Sequence, residues 1–224
     1  MAFRSSANAH AASDSTSITA TPAGVAVNDI LYAWYSSDGV ATVTQTGWTQ
    51  LSIADNTLDN QTTRLFRRVA TGTDNFTFSG DFGNGHNLVV AAFSGRNTST
   101  PESTTSIITI DNVGRATGFG ATVTGITASQ GDDICIFKQL DVDAVGTTGS
   151  WSQVTNYTEQ QDVVGNSNFT TGTALDTRDN VNAGATGNFS TTLTISAGST
   201  AWSAVVVAVK AAAAADTLMG QACL

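Results

Sequence analysis

Few side chains in this sequence have the types or the company that chemistry needs. The two histidines stand apart, His10 in a polar leader and His86 in the Gly/Asn-rich turn "GDFGNGHN". Neither has neighbours that complete a nucleophilic triad or a metal cage. Acids number 18, but only Glu102 and Glu159 are glutamates. The clusters "DNTLDN" (55–60), "DVD" (141–143) and "LDTRDN" (175–180) lack the alternating oxygens and closing Glu of a calcium loop, and they read as surface turns. "GDFGNGH" has no Lys-Ser/Thr ending and no helical sequel, so it is not a phosphate loop. A pair of carboxylates suited to glycoside hydrolysis stays open, because sequence spacing does not say which acids meet in space. The expectation is a protein with no catalytic residue, no metal ligand and no cofactor.

Charge narrows the partners. The formal net charge is −9, and only 12% of residues are charged. Nucleic acids and anionic lipid surfaces need clustered Lys and Arg. The nearest cluster is Arg64, Arg67 and Arg68 in "TTRLFRRVA", which alternation assigns to the outer face of a strand. Neither a nucleic acid nor a membrane is expected as a partner. Cys135 lies inside the apolar run "DDICIFKQL" and reads as a buried thiol, while Cys223 is next to last; nothing suggests a disulfide framework. "MAFRSSANAHAASDSTS" lacks the apolar stretch of a signal peptide. "AWSAVVVAVKAAAAA" (201–215) is the nearest thing to a membrane span, and Lys210 interrupts it.

The elements that carry these residues read as strands. Gly, Thr, Ser, Ala and Val dominate at the expense of the Glu, Lys and Leu that fill exposed helices. Runs such as Ile30–Tyr35 and Val205–Val209 are apolar at every position, as strands covered on both faces are; "TVTQTGW" and "STTLTIS" alternate, as half-exposed strands do. Turn signals recur about every eight to fifteen residues, the spacing of a sandwich or barrel.

The chain also repeats itself. "NDILYAWYSSDG" (28–39) returns as "DDICIFKQLDVD" (132–143), "TGWTQL" as "GSWSQV", and the closing strand "HNLVVAAFSG" (86–95) as "TAWSAVVVAVK" (200–210). Matching Asp29 to Asp133 and Trp48 to Trp151 gives a repeat of roughly 100 residues, with an insertion in the middle of the second copy. The aspartates suit turn acceptors at strand mouths, and the tryptophans suit core anchors. The expected fold is all-β, a jelly-roll-like antiparallel β-sandwich built from two pseudo-repeats, about 17–96 and 107–210, that close one larger core. Residues 1–16 would form an N-terminal arm and 211–224 a C-terminal tail. Phe3 and Arg4 in the arm and Leu218, Met219 and Leu224 in the tail are the candidate interface residues, reaching neighbouring subunits.

Several phrases together resemble a known family. "FRSS" (3–6), "TPAGVAVNDILYAWYSSDG" (21–39), "GWTQL" (47–51), "TRLFRRVATGTDNFTFS" (63–79), "NLVVAAFSG" (87–95) and "WSAVVVAVK" (202–210) are similar to β-sandwich proteins of tailed bacteriophages and bacterial surfaces. The usual phrasing there is a "PAG…GDLLLA" strand, a "GWT.L" turn, a "YYRVA" strand and an "AAYSG" strand. The likeness covers about residues 3–210. Asn28 stands where the family has Gly, and "LFRRVA" (65–70) replaces the aromatic pair with Phe66 and Arg67. The resemblance implies a non-enzymatic virion protein on the outer surface of a phage particle; the composition and the lack of an export signal fit assembly in the host cytoplasm and release by lysis. Capsid decoration (cement) is the favoured role, with the major capsid protein or other virion proteins as partners and a homo-oligomer as the assembled form. A tail fibre or baseplate accessory is an alternative role, and a lectin-like module gripping host-surface glycan is another. Exposure of Trp34, Trp48, Tyr157 and Trp202 on one face would favour the glycan role; their burial would favour a scaffold.

Overall fold

The computed structural model describes residues 3–11, 15–39, 42–57, 60–81, 84–141, 147–163, 171–198 and 200–212. They form strands and turns, and no helix long and apolar enough to cross a membrane occurs among them. The first copy contributes β1 (Phe3–Ala11), β2 (Ser17–Thr19), β3 (Ile30–Asp38), β4 (Thr42–Thr44), β5 (Thr49–Ile53), β6 (Thr62–Val69), β7 (Thr77–Asp81) and β8 (Asn84–Phe93). The second contributes β9 (Ile107–Arg115), β10 (Phe119–Val123), β11 (Thr127–Ala128), β12 (Asp133–Asp141), β13 (Gly149–Trp151), β14 (Thr158–Val163), β15 (Thr171–Arg178), β16 (Gly184–Ala185), β17 (Phe189–Ile195) and β18 (Thr200–Val209).

Each copy folds into a large and a small antiparallel sheet. The large sheets run β1-β8-β3-β6-β5 and β9-β18-β12-β15-β14, and the small ones β2-β7-β4 and β10-β17-β13. The two orders correspond strand for strand. Within each copy the last strand lies between the first and third of the large sheet, and the small sheet is interleaved in the same way, which is the wiring of a jelly roll. β11 and β16 make a two-stranded ribbon with no counterpart among the described residues of the first copy.

Four layers result, with three apolar cores between them. Leu31, Ala33, Tyr35, Leu88, Val90, Phe66 and Phe78 fill the first sandwich. Ile134, Ile136, Trp151, Leu193, Trp202 and Val206 fill the second. A third core lies between the two large sheets, where Ile30, Tyr32, Trp34, Val89 and Phe93 meet Cys135, Phe137, Leu175, Val205 and Val207. Trp34 stacks on Phe137 with ring centroids 6.0 Å apart. The residues of β3, β12 and β18 that alternate between two cores are thus apolar at both parities for one reason: each large sheet is covered on both faces. The sequence expectation of one sandwich with one core differs here. Each repeat closes a sandwich of its own, and the shared core is an additional layer.

The structure also corrects the alignment of the copies. Asp29 corresponds to Asp132, not Asp133. Asp29 accepts the Ala26 N–H (2.9 Å) and Asp132 the Ser129 N–H (2.7 Å), the same turn three residues back. The preceding residues also match: Asn28 N–H bonds to Ala70 O and Gly131 N–H to Val181 O, with φ of 69° and 84°. A left-handed backbone suits Gly and is tolerated by Asn, which explains the exchange between copies. A slip of one residue would send each side chain of β12 to the wrong core. Trp48 likewise corresponds to Tyr157 rather than Trp151. Gly47 and Asn156 before them both have positive φ, and both rings pack edge-on against equivalent phenylalanines, Phe76 and Phe189. β5 and β14 then carry the same bulge, between Gln50 and Ser52 and between Glu159 and Gln161.

The ends and the link are drawn into this frame. Residues 3–11, expected as an arm, form β1 and pair along β8. A bulge between Phe3 and Ser5 changes the facing, so Phe3 packs on the shared core while Ala7, Ala9 and Ala11 pack on the first sandwich. Between the copies, Asn97 N–H bonds to Lys210 O, Lys210 N–H to Pro101 O and Ser103 N–H to Ala208 O. Glu102 accepts from Tyr32 Oη at 2.8 Å and from Arg67 at 2.6 Å. The link is therefore a strip laid on β18 rather than a tether.

Removing one ring from the shared layer should weaken both copies together. Phe137→Ala is expected to cost about 3–5 kcal/mol, seen as a lower urea midpoint in a single transition. Loss of the second copy's signal alone would mean that the layer does not couple them.

Candidate functional site

The polar residues offered for chemistry are mostly engaged with one another. Seven ion pairs join described residues: Arg4–Asp29, Arg64–Asp55, Arg67–Glu102, Arg68–Asp74, Arg96–Asp133, Arg115–Asp111 and Lys138–Asp176. The two candidate arm residues are among the groups so used. Arg4 holds Asp29 at 2.6 Å, and Phe3 meets Phe93 edge-on at 5.8 Å, both within the chain. Leu218, Met219 and Leu224 lie outside the described residues, as does Cys223. Cys135 is a buried free thiol, as the sequence suggested.

Two ion pairs are sealed in the interior. Arg96 donates to Asp133 Oδ1 at 2.6 Å and to Gly131 O at 2.7 Å, and Asn180 N–H reaches the same carboxylate. Burial pushes Asp133 up to about 7 even with the Asn180 amide and Arg96 pulling the other way. Lys138 and Asp176 face each other on neighbouring strands of the second copy, both with fully buried side chains. The sequence marked neither pair, although a lysine at the centre of "CIFKQL" signals a charge that has to find a partner inside.

The aromatic residues fall inside. Trp34 is 0% exposed, Trp202 2% and Tyr157 8%. Trp48 is half-buried against Phe76 and Phe78, and its indole N–H bonds to Asn75 O. They do not form one open face. Among the described residues, none of the clefts is lined by the histidines. His86 is fully buried beside Tyr35, and His10 is exposed on the edge strand β1. Among the described residues no group of three or more His, Cys, Asp or Glu is placed to hold a metal ion.

Searches against family profiles, curated proteins and solved structures find no match to this chain. Function has to be argued from its own surfaces.

Two surface features stand out. The first is a cleft of about 470 Å³ in the second copy, bordered by β16 and lined by Asn156, Tyr157, Arg178, Asn182, Thr186 and Asn188. Arg178 lies over the Tyr157 ring at 5.9 Å. Its guanidinium forms no ion pair among the described residues. Among the described residues the β11–β16 ribbon occurs only in the second copy, where the sequence located an insertion, but nothing in the sequence marked Arg178. The second feature is a seam where β9 meets the end of β5. Asn56 donates to Asp111 O and Thr57 N–H to Asn112 Oδ1. Ile53, Ile110 and Val113 flank it, exposed. The equivalent seam on the other side, where β1 meets β14, is closed by Gln161 with Ser6 and Asn8 and is polar.

Burial fixes the sign of one pH effect. Desolvation pushes His86 down to about 4. It is neutral in the fold and would charge on unfolding, so the stability it contributes is present above about pH 6.5 and is lost as pH falls towards 4. Asp133 and Asp162 act in the opposite sense over part of this range. Comparison with His86→Gln removes them, since they titrate in both proteins. The wild type should lose more of its urea midpoint than the variant between pH 6.5 and 4. Equal losses would show that His86 charges without penalty in the fold.

Proposed function

We propose that this chain is a non-enzymatic structural protein of a bacteriophage particle, a capsid decoration protein on the outer surface of the head. In this reading it assembles with copies of itself across junctions of the major capsid protein. The burial of Trp34, Tyr157 and Trp202 carries the reading, because it removes the aromatic platform that a sugar-gripping module would present. Other observations support it. Most cations are tied to acids inside the chain, which leaves the unpaired charge mostly acidic and no basic face. Ile53, Ile110 and Val113 offer apolar contact beside an open sheet edge. The motifs of residues 3–210 add their likeness to phage β-sandwich proteins. A four-layer body with three cores suits a part that resists deformation rather than one that closes on a ligand.

Imaging of purified particles with and without the chain tests this. Regular density at local symmetry axes of the head, lost with the protein, is the expected result. Density confined to the tail tip would overturn decoration in favour of a fibre or baseplate accessory.

The Arg178 cleft favours a second reading, a module for host-surface glycan with an acidic group. Amides of Asn156, Asn182 and Asn188 would meet hydroxyls and the free guanidinium the acid. An array of acidic and neutral glycans would then show acid-selective binding that Arg178→Ala abolishes. No binding to the array would dismiss it.

A further inference from the structure

Lys138 is the one charged residue in the otherwise neutral run "ICIFKQL", and its strand neighbours send their side chains into cores. Its Nζ stands 2.6 Å from Asp176 Oδ2, and both side chains are 0% exposed. The surroundings are apolar. The Trp151 ring lies 5.8 Å from Nζ, and Ile136, Ala174 and Leu193 belong to the same core. Two backbone groups complete the site. Nζ donates to Ser152 O at 2.8 Å, and Asp176 Oδ2 accepts the Val154 N–H at 3.1 Å. Asp176 Oδ1 has no hydrogen-bond partner among the described residues.

As an ion pair this arrangement is poor. Two charges are out of water, and one carboxylate oxygen has nothing to accept. Burial pushes the Asp176 carboxyl above its ordinary value, against the pull of Lys138. As an amide it is complete. The nitrogen keeps one N–H for Ser152 O, the former Oδ2 becomes a carbonyl that keeps the Val154 N–H, and the orphan oxygen is gone.

We infer that Lys138 and Asp176 are joined by an intramolecular isopeptide bond between β12 and β15, formed by loss of Asp176 Oδ1 as water. The ammonium first passes a proton to the carboxylate, which apolar surroundings favour because both groups become neutral. The amine lone pair attacks Cγ and the Nζ–Cγ bond forms. The Cγ–Oδ1 bond breaks, and Oδ1 leaves with the carboxyl proton and one proton from nitrogen. The sum is one ammonium and one carboxylate in, one secondary amide and one water out. No oxidant, metal or activated co-reactant is required. Asp162 on β14 stands opposite Ala174, which stands opposite Lys138, so the two backbone positions are in register across one strand. The backbone of both strands is held by the ladder, so the reacting groups are brought together by folding rather than by collision.

This inference is independent of where the protein acts. The test is the intact mass of the denatured full chain, with a tryptic peptide map. The expected mass is one water below that of the sequence. Trypsin should leave Lys138 uncut and release residues 116–178 as a single, internally looped peptide one water lighter than its sequence. Lys138→Met should restore the sequence mass. A wild type at full sequence mass with cleavage after Lys138 overturns the bond. So does a Lys138→Met variant that is still one water light, because the loss would then lie elsewhere.

Discussion

The contact on which this molecule depends is the apolar layer between its two large sheets. A five-stranded sheet backed by only three strands leaves much of its other face bare, and that face here carries Ile30, Trp34, Val89 and Phe93 in one copy and Phe137, Val205 and Val207 in the other. Burying each such side chain is worth about 1.5–3 kcal/mol. Neither face would be stable in water alone. Their union explains why the link can be short, why Glu102 in that link is clamped by Tyr32 and Arg67, and why β1 is drawn onto the sheet edge with Phe3 turned into the layer.

A second constraint follows from having so little surface charge. Cations are few, and the structure spends most of them internally, each within reach of an acid. Arg96 and Arg67 anchor the link between copies, and Arg4 fixes the start of β1 against the turn before β3. These are positional roles. The partly exposed pairs of Arg67 and Arg4 add little stability, but they choose among ways of laying a strip or strand on a sheet. Asp55 and Asp176, from two of the acidic clusters, are thereby occupied.

Much of this was legible in advance, for physical reasons that also mark where reading stopped. Strands apolar at both parities announced two covered faces, and both Ile30–Tyr35 and Val205–Val209 have them. Periodicity reports that a face is covered but not by what, so a third core passed for part of one. The copies were visible, yet the pair Asp132-Asp133 offers two ways to match Asp29, and only the turn hydrogen bonds choose between them. Trp151 misled because its ring belongs to the small sheet, while the slot of Trp48 is taken by Tyr157, a residue of another type. "FRSSANAHA" did not look like a strand because its inward residues are mostly alanines, and alanine gives hydrophobic alternation little contrast. The cleft was illegible for a different reason. Its lining comes from the turn before β14, the end of β15, β16 and the start of β17, and only the fold brings those together.

The layered order has a bearing on how such a chain can change. Positions in the middle layer answer to both halves at once: a larger ring at 34 needs a smaller one at 137. The outermost sheets answer to one half each, and beyond them there is only solvent. Novelty is therefore cheapest at the periphery, and that is where the described residues of the two halves part company, one half having grown the β11–β16 ribbon and the other not. An engineer wishing to graft a loop or a tag onto this protein would do well to follow the same precedent.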